Sequence, residues 1–295
     1  MFEFLKKHDV NYKRNFKISD ISSIKIGGTA DIVAYPKNEE ELILLVDFLS
    51  SISVPYKIIG KMTNILASDR GFSGVLISTK LLSGVEFDGL IAYAATGALV
   101  NSLIFSAAKI NLGGLADLFG IPGTLGGLLH NNGGAGNFDV SCALLYARVY
   151  SPELRKILIL DGRDLNLGYR SSIFYEKDYV TLSLALAFVR EKYCDVMQKI
   201  RFSVEKRKTS QPIAYPSLGS VFKRENGVAV SRLIDELGLR GERIGGAQIS
   251  KKHAGFIINR GKATYDDVIN LIALIKREML NKYGFEPKEE IEFLG

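Results

Sequence analysis

The sequence predicts a mixed chain of helices and strands in more than one lobe, opening with a small α/β unit, and three observations predict it. Strand-like and helix-like segments alternate along the whole length, β-branched runs of four to eight residues sit between helical periods, and 295 residues suffice for two or three cores. No internal repeat or low-complexity linker separates the lobes, so they are expected to pack closely. Asp31–Pro36 reads as a strand ended by its proline. Asn38–Ser51 reads as a helix with Asn38 as N-cap, acidic residues in its first turn, and Leu42, Leu45 and Leu49 on one face. Pro55–Gly60 and Gly74–Thr79 follow as strands. From about Gly84 a second stretch gives a strand at Leu90–Gly97, a helix at Ala98–Ile110, and strands at Ala143–Tyr150, Lys156–Leu160 and Tyr179–Val189. Glu191–Lys208 reads as a linking helix. The third stretch opens with turn residues at Gln211–Ser220. It continues with a helix at Ser231–Gly238 capped by Ser231, a strand at Ala254–Asn259, and the clearest helix of the chain at Thr264–Gly284. There Thr264 can cap, while Val268, Leu271, Ile275 and Met279 form the apolar face.

Composition narrows the function classes. Apolar residues make up 47% and charged residues 24%, an ordinary water-soluble balance, and the longest apolar runs, such as Val180–Val189, are too short to span a bilayer. The segment MFEFLKKHDV has no apolar core and no small-residue cleavage site, which points to the cytoplasm. Cys142 and Cys194 match no metal or redox spacing, so they read as partly buried thiols, and no metal site is expected. The net charge of +6 suits nucleic acid, a membrane surface or a phosphorylated small ligand. The strongest basic cluster, Lys206–Lys208, carries no interleaved aromatics and reads as solvated helix surface, so no nucleic-acid partner is expected.

The glycines point elsewhere. Nine of 29 fall between Gly113 and Gly136, in GGLADLFGIPGTLGGLLHNNGGAG, where even spacing would place two or three. Bare backbone lets consecutive N–H groups approach an anion such as a pyrophosphate. The stretch has neither the Gly-Lys-Ser/Thr of a phosphate loop nor GxGxxG after a strand. Nine glycines together with Asn131 and Asn132 favour a cofactor cradle over a set of tight turns. A second loop, Ile59–Gly74, offers a glycine, a hydroxyl and an amide, which suggests one extended ligand held by two loops.

Eight segments then carry a resemblance: SSIKIGGTAD (Ser22–Asp31), GKMTNILASDRGFSG (Gly60–Gly74), GLADLFGIPGTLGG (Gly114–Gly127), GYRSSIF (Gly168–Phe174), PSLGSVFKR (Pro216–Arg224), LIDELGLRG (Leu233–Gly241), GGAQISKKHAGFIIN (Gly245–Asn259) and EEIEFLG (Glu289–Gly295). In this order and spacing the chain resembles the UDP-N-acetylenolpyruvoylglucosamine reductase family along nearly its whole length. The resemblance implies an α+β fold with a two-lobed FAD-binding domain of the flavin-oxidase (PCMH-like) type. Residues 1–83 and 84–206 would be its lobes, and 207–295 an α/β substrate-binding domain whose last strand returns to the active site. It also implies a non-covalent FAD, NADPH as hydride donor, and UDP-N-acetylglucosamine enolpyruvate reduced to UDP-N-acetylmuramate by a monomer. The short run from Glu191 to Arg207 leaves no room for the tyrosine-bearing loop of the longer family branch.

Residue by residue, the resemblance assigns Arg170 to binding the enolate charge, Ser220 to protonating the substrate, and Glu290 to supporting the intermediate or relaying a proton. Glu289 and Glu292 compete with Glu290, and the register of the Ile291–Gly295 ending selects Glu290. For FAD it implies Gly60, Lys61, Met62, Thr63, Asn64, Ile65 and Ser68 in the first loop. In the second it implies Gly120, Ile121, Pro122, Gly123, Thr124, Gly126, Gly127, Asn131 and Gly133. Lys208, Lys223 and Arg224 would bind the substrate's charges. His253 lacks metal partners and reads as a hydrogen-bonded structural histidine. Two departures stand out. Met62 occupies a place where the family usually has glycine, and His130-Asn131-Asn132-Gly133-Gly134 replaces the usual Met-Asn-Ala-Gly-Ala. The rival readings are an FAD-dependent oxidase of small alcohols on the same scaffold and a non-enzymatic anion-binding protein.

Overall fold

The structure is a computed structural model that describes residues 1–136 and 138–295. It divides into two compact units, each assembled from separate stretches of chain. The first takes residues 1–14, 32–61 and 74–205, and the second 15–31, 62–73 and 206–295.

The first unit is built around a five-stranded antiparallel sheet in the order Lys156–Leu160, Leu144–Ser151, Val180–Ala187, Ile91–Ala95, Val85–Asp88. The helix Val100–Lys109 buries Val100, Leu103, Ile104, Ala107 and Ala108, which share a core with Ala92, Ala94, Ala147, Val149, Leu184 and Leu186 of the sheet. The turn of helix Leu125–His130 adds Leu125, Leu128 and Leu129 to that core. A second core of the same unit holds the face of helix Glu39–Ser51 named by its periodicity, Leu42, Leu45 and Leu49, against Ile32, Ala34, Val75 and Ile77. Asn38 caps that helix, its side chain accepting the Glu41 N–H at 2.8 Å. Thr29–Tyr35 and Tyr56–Ile59 belong to a four-stranded sheet ordered Asn11–Lys17, Thr29–Tyr35, Phe72–Ser78, Tyr56–Ile59.

The second unit carries a four-stranded antiparallel sheet, Ser217–Ser220, Phe256–Asn259, Ala247–Ile249, Arg243–Ile244. Helices Val230–Glu236 and Tyr265–Tyr283 join the strands in one core containing Leu218, Ile257, Leu271, Ile275 and Met279. A parallel pair, Ile65–Ala67 with Glu292–Leu294, places Leu66 in the same core.

Four readings are corrected. Ser231 does not cap its helix, which begins at Val230 after an Ala229 that makes no side-chain cap. The apolar run Tyr179–Val189 is broken at Phe188, and Val189–Arg190 pairs instead with Leu112–Gly113. Both cysteines are exposed rather than partly buried. The linking helix runs from Tyr193 to Ser210 rather than from Glu191 to Lys208. Among the described residues no helix is long and apolar enough to cross a membrane.

Candidate flavin and substrate site

In the first unit Gly120–Thr124 leads into the short helix Leu125–His130, and Thr124 caps it by accepting the Gly127 N–H at 3.3 Å. From Gly120 into the first turn of the helix, several amides are already committed. Gly120 donates to Asn101 Oδ1 at 2.7 Å, Ile121 to Leu118 O at 3.1 Å, Leu125 to Ala98 O at 2.9 Å and Gly126 to Thr96 O at 2.8 Å. Among the described residues, Gly123 and Thr124 are the loop amides left without a protein acceptor. The glycines therefore serve close packing more than bare donation. A Cβ on Gly126 would lie 2.0 Å from Thr96 Oγ1, and one on Gly133 2.6 Å from Leu128 Cδ1. A Cβ on Gly60 would lie 2.3 Å from Thr124 Oγ1, so the start of the first glycine loop touches the second loop inside this unit. Two neighbouring amides without an acceptor, beside a buried threonine and a glycine contact no side chain tolerates, fit the diphosphate of a dinucleotide cofactor.

Arg170 stands on a reverse turn in which Gly168 N–H donates to Ser171 O at 3.1 Å and Ser171 N–H to Gly168 O at 3.2 Å. Its backbone is left-handed, φ 52°, a conformation rare for a long side chain. The guanidinium donates to Asn132 O at 3.2 Å and Gly134 O at 3.0 Å, and stacks 5.2 Å from the Tyr169 ring centre. The HNNGG segment thus holds the proposed anion-binding arginine. Asn131 is half-buried at the end of the short helix. The Gly133 N–H returns to Leu128 O at 2.7 Å, and the His130 ring lies against Tyr175 at 4.8 Å.

The second unit carries the remaining candidates. Met62 has φ 49° with its side chain buried, so a bulky residue adopts the conformation for which glycine is usual. Lys61, in the first unit, is exposed, while Thr63, Asn64 and Ile65 are half-buried. Asn64 was named for the cofactor, yet its side-chain NH₂ and its main-chain carbonyl both bond the C-terminal segment. Its Nδ2 donates to Glu290 O at 2.9 Å and its carbonyl accepts from Glu292 N–H at 2.9 Å. The Ser68 amide goes to Leu294 O at 2.8 Å, and its hydroxyl accepts from Arg70 N–H at 3.1 Å.

Ser220 ends its strand after Gly219, φ 79°, and its hydroxyl donates to Phe222 O over a long 3.3 Å. Glu290 N–H donates to Val221 O at 2.8 Å and Lys223 N–H to Lys288 O at 2.9 Å, so the segment bearing Ser220 and Lys223 runs beside the one bearing Glu290. The neighbouring Glu289 is ion-paired to Lys276 at 2.6 Å. Arg224 and Lys208 are exposed, and the Lys208 carbonyl accepts from the Lys252 ammonium. His253 accepts the Gly255 N–H on Nδ1 at 3.2 Å, and burial together with the Arg240 charge holds its pKa below the ordinary value, as suits a structural histidine.

A match to the FAD binding domain ahead of a reductase C-terminal domain defines the class, an FAD-dependent oxidoreductase. Residues 30–150 match the FAD binding domain, and residues 211–294 match the C-terminal domain of UDP-N-acetylenolpyruvoylglucosamine reductase. The reductase of that name from Caldanaerobacter subterraneus subsp. tengcongensis is 38% identical over 93% of this chain and 90% of its own length. That from Clostridium perfringens is 36% identical over 99% and 95%. The crystal structure of the Thermus caldophilus reductase superposes with a TM-score of 0.82 at 26% identity, covering 97% of this chain and 99% of that one. The chain belongs to the UDP-N-acetylenolpyruvoylglucosamine reductase family.

Proposed function

We propose that this chain reduces the enolpyruvyl ether of UDP-N-acetylglucosamine enolpyruvate to the lactyl ether of UDP-N-acetylmuramate, with NADPH as electron source. The observation that carries the reading is the pairing of Glu290 with Val221, which lays a carboxylate segment along the serine segment inside the family's matched C-terminal domain. FAD, held at the Gly123 and Thr124 amides beside Gly60, would supply the two-electron chemistry between NADPH and the terminal alkene carbon.

The residues have the remaining work. Gly123 and Thr124 amides, with Gly60 alongside, receive the cofactor's diphosphate. Arg170, its head anchored by two carbonyls, faces the negative charge that develops beside the substrate carboxylate. Ser220 gives its proton to the adjacent carbon. Its existing 3.3 Å bond is longer than the usual O–H···O range of about 2.5–3.0 Å, so little is lost when the proton leaves. Glu290 supports the polarised intermediate, and Lys208, Lys223 and Arg224 balance the diphosphate and carboxylate. In this reading residues 1–83 and 84–206 bind FAD and 207–295 bind substrate, in a cytoplasmic monomer.

An anaerobic absorption experiment tests it. NADPH should bleach a flavin spectrum, and the enolpyruvyl nucleotide should restore it. Ser220→Ala should keep the bleaching and slow the restoration about 10²- to 10⁴-fold, the range a general acid contributes. Restoration by oxygen alone would favour an oxidase, and a protein that stays colourless with added FAD would end the reading.

A further inference from the structure

We infer that Asn132 is a positioning residue for Arg170. The inference rests on the role of Arg170 proposed above, and concerns a residue that replaces the alanine usual at this place in the family. Asn132 is 1% exposed, and a buried amide is tolerated only when both ends are bonded. Both are. Nδ2 donates to Gly168 O at 2.9 Å, and Oδ1 accepts at 3.3 Å from the Ser141 N–H, which it shares with Asp139 Oδ1 at 3.1 Å. The partners fix the amide's orientation, because a carbonyl needs the NH₂ end and an N–H needs the oxygen.

The geometry ties this side chain to the arginine at two points. Gly168 opens the Gly168–Ser171 turn on which Arg170 stands in a left-handed conformation, so the Nδ2 bond anchors the arginine's backbone. The Asn132 carbonyl accepts from Arg170 Nη1 at 3.2 Å, so the same residue anchors its head. Asn132 is itself left-handed, φ 43°, a conformation asparagine adopts more readily than alanine does. Alanine would keep the carbonyl but release the turn. A guanidinium binding an anion bidentately depends on its direction, and misplacement of about 1 Å can cost about 10²-fold in rate.

Three variants separate the possibilities. Asn132→Gly keeps the left-handed backbone and removes both side-chain bonds. Asn132→Asp keeps the acceptor toward Ser141 and removes the donor toward Gly168. Arg170→Lys reports the arginine itself. Each is measured in the FAD-loaded protein for affinity toward UDP-N-acetylmuramate, read from the flavin spectrum. Flavin content, the rate of NADPH bleaching and the rate of restoration by the enolpyruvyl nucleotide complete the set. Both Asn132 variants should weaken product binding and slow restoration about 10-fold, with flavin content and bleaching unchanged. Added to Arg170→Lys, Asn132→Gly should cost less than about 2-fold more, because coupled residues are not additive. Unchanged restoration, loss of flavin, equal slowing of both steps, or full additivity with Arg170→Lys would each overturn the inference. If Arg170→Lys alone leaves product binding and restoration unchanged, the role proposed for Arg170 is what fails.

Discussion

Met62 shows how opposing residue-scale terms are weighed. Its left-handed backbone costs about 1–2 kcal/mol relative to glycine, while its side chain is 2% exposed. Truncating a buried methionine typically costs about 2–5 kcal/mol, and glycine adds about 0.5–1 kcal/mol of unfolded-state entropy. Burial wins, so Met62→Gly, although it restores the family's usual residue, should destabilise the protein by about 2 kcal/mol. Chemical denaturation checks this, and a variant more stable than the parent would show that backbone strain dominates. The sequence carried the signal for Met62 because a family glycine marks a backbone requirement that any substitute must meet. It carried no signal for the commitments of Asn64, whose bonds run to residues more than 220 positions away. The choice among Glu289, Glu290 and Glu292 rested on register alone, and the Lys276 ion pair that occupies Glu289 is visible only in three dimensions.

Among the elements, the helix Tyr265–Tyr283 was legible because local rules agree at every point. Thr264 accepts the Asp267 N–H at 3.1 Å, Asp267 accepts the Thr264 N–H at 3.0 Å to complete a capping box, and Gly284 closes the helix at φ 76°. Asp267 also accepts the Gly246 N–H at 2.9 Å. Burial pushes its carboxyl upward, but the backbone bonds from Thr264 and Gly246 outweigh this and hold it below the ordinary 3.8. Thr264→Ala should lower stability by about 1 kcal/mol, the usual worth of an N-cap. The pH dependence has a definite sign. A depressed folded-state pKa gives stability that is present above the unfolded value and lost as pH falls through the folded one. Asp267→Asn should therefore flatten the acid limb of the stability curve below pH 3.8, and an unchanged limb would remove Asp267 from the account. By contrast the strand Asn11–Lys17 went unread because NYKRNFK buries none of its residues and shows no apolar alternation. The last strand, Glu292–Leu294, was expected from the resemblance, but three residues carry no period, and its parallel partner Ile65–Ala67, far away in the chain, went unread.

For the molecule as a whole, the composition of each compact unit was the least legible feature. Residues 15–31 and 62–73 join the C-terminal 206–295 through pairings such as Ile65–Ala67 with Glu292–Leu294 and bonds such as Ser23 Oγ to Ser217 O at 2.7 Å. No local pattern encodes which distant segments meet. Charge, a global quantity, was legible at once, and it makes the last prediction. At +6 the protein attracts a ligand that carries a diphosphate and a carboxylate, and part of that attraction acts beyond contact distance. Salt screens charges over about 10 Å at 0.1 M and about 3 Å at 1 M, so the long-range part should fade across that range while short ion pairs persist. The KM for the enolpyruvyl nucleotide should then rise several-fold between low salt and about 0.5 M sodium chloride, mainly through slower association. Bleaching of enzyme already saturated with NADPH should change little, because the reacting groups are in contact by then. A KM indifferent to salt would mean that the positive surplus lies on surfaces the substrate never senses, and that short-range contacts from residues such as Arg170 and Lys223 supply the recognition alone.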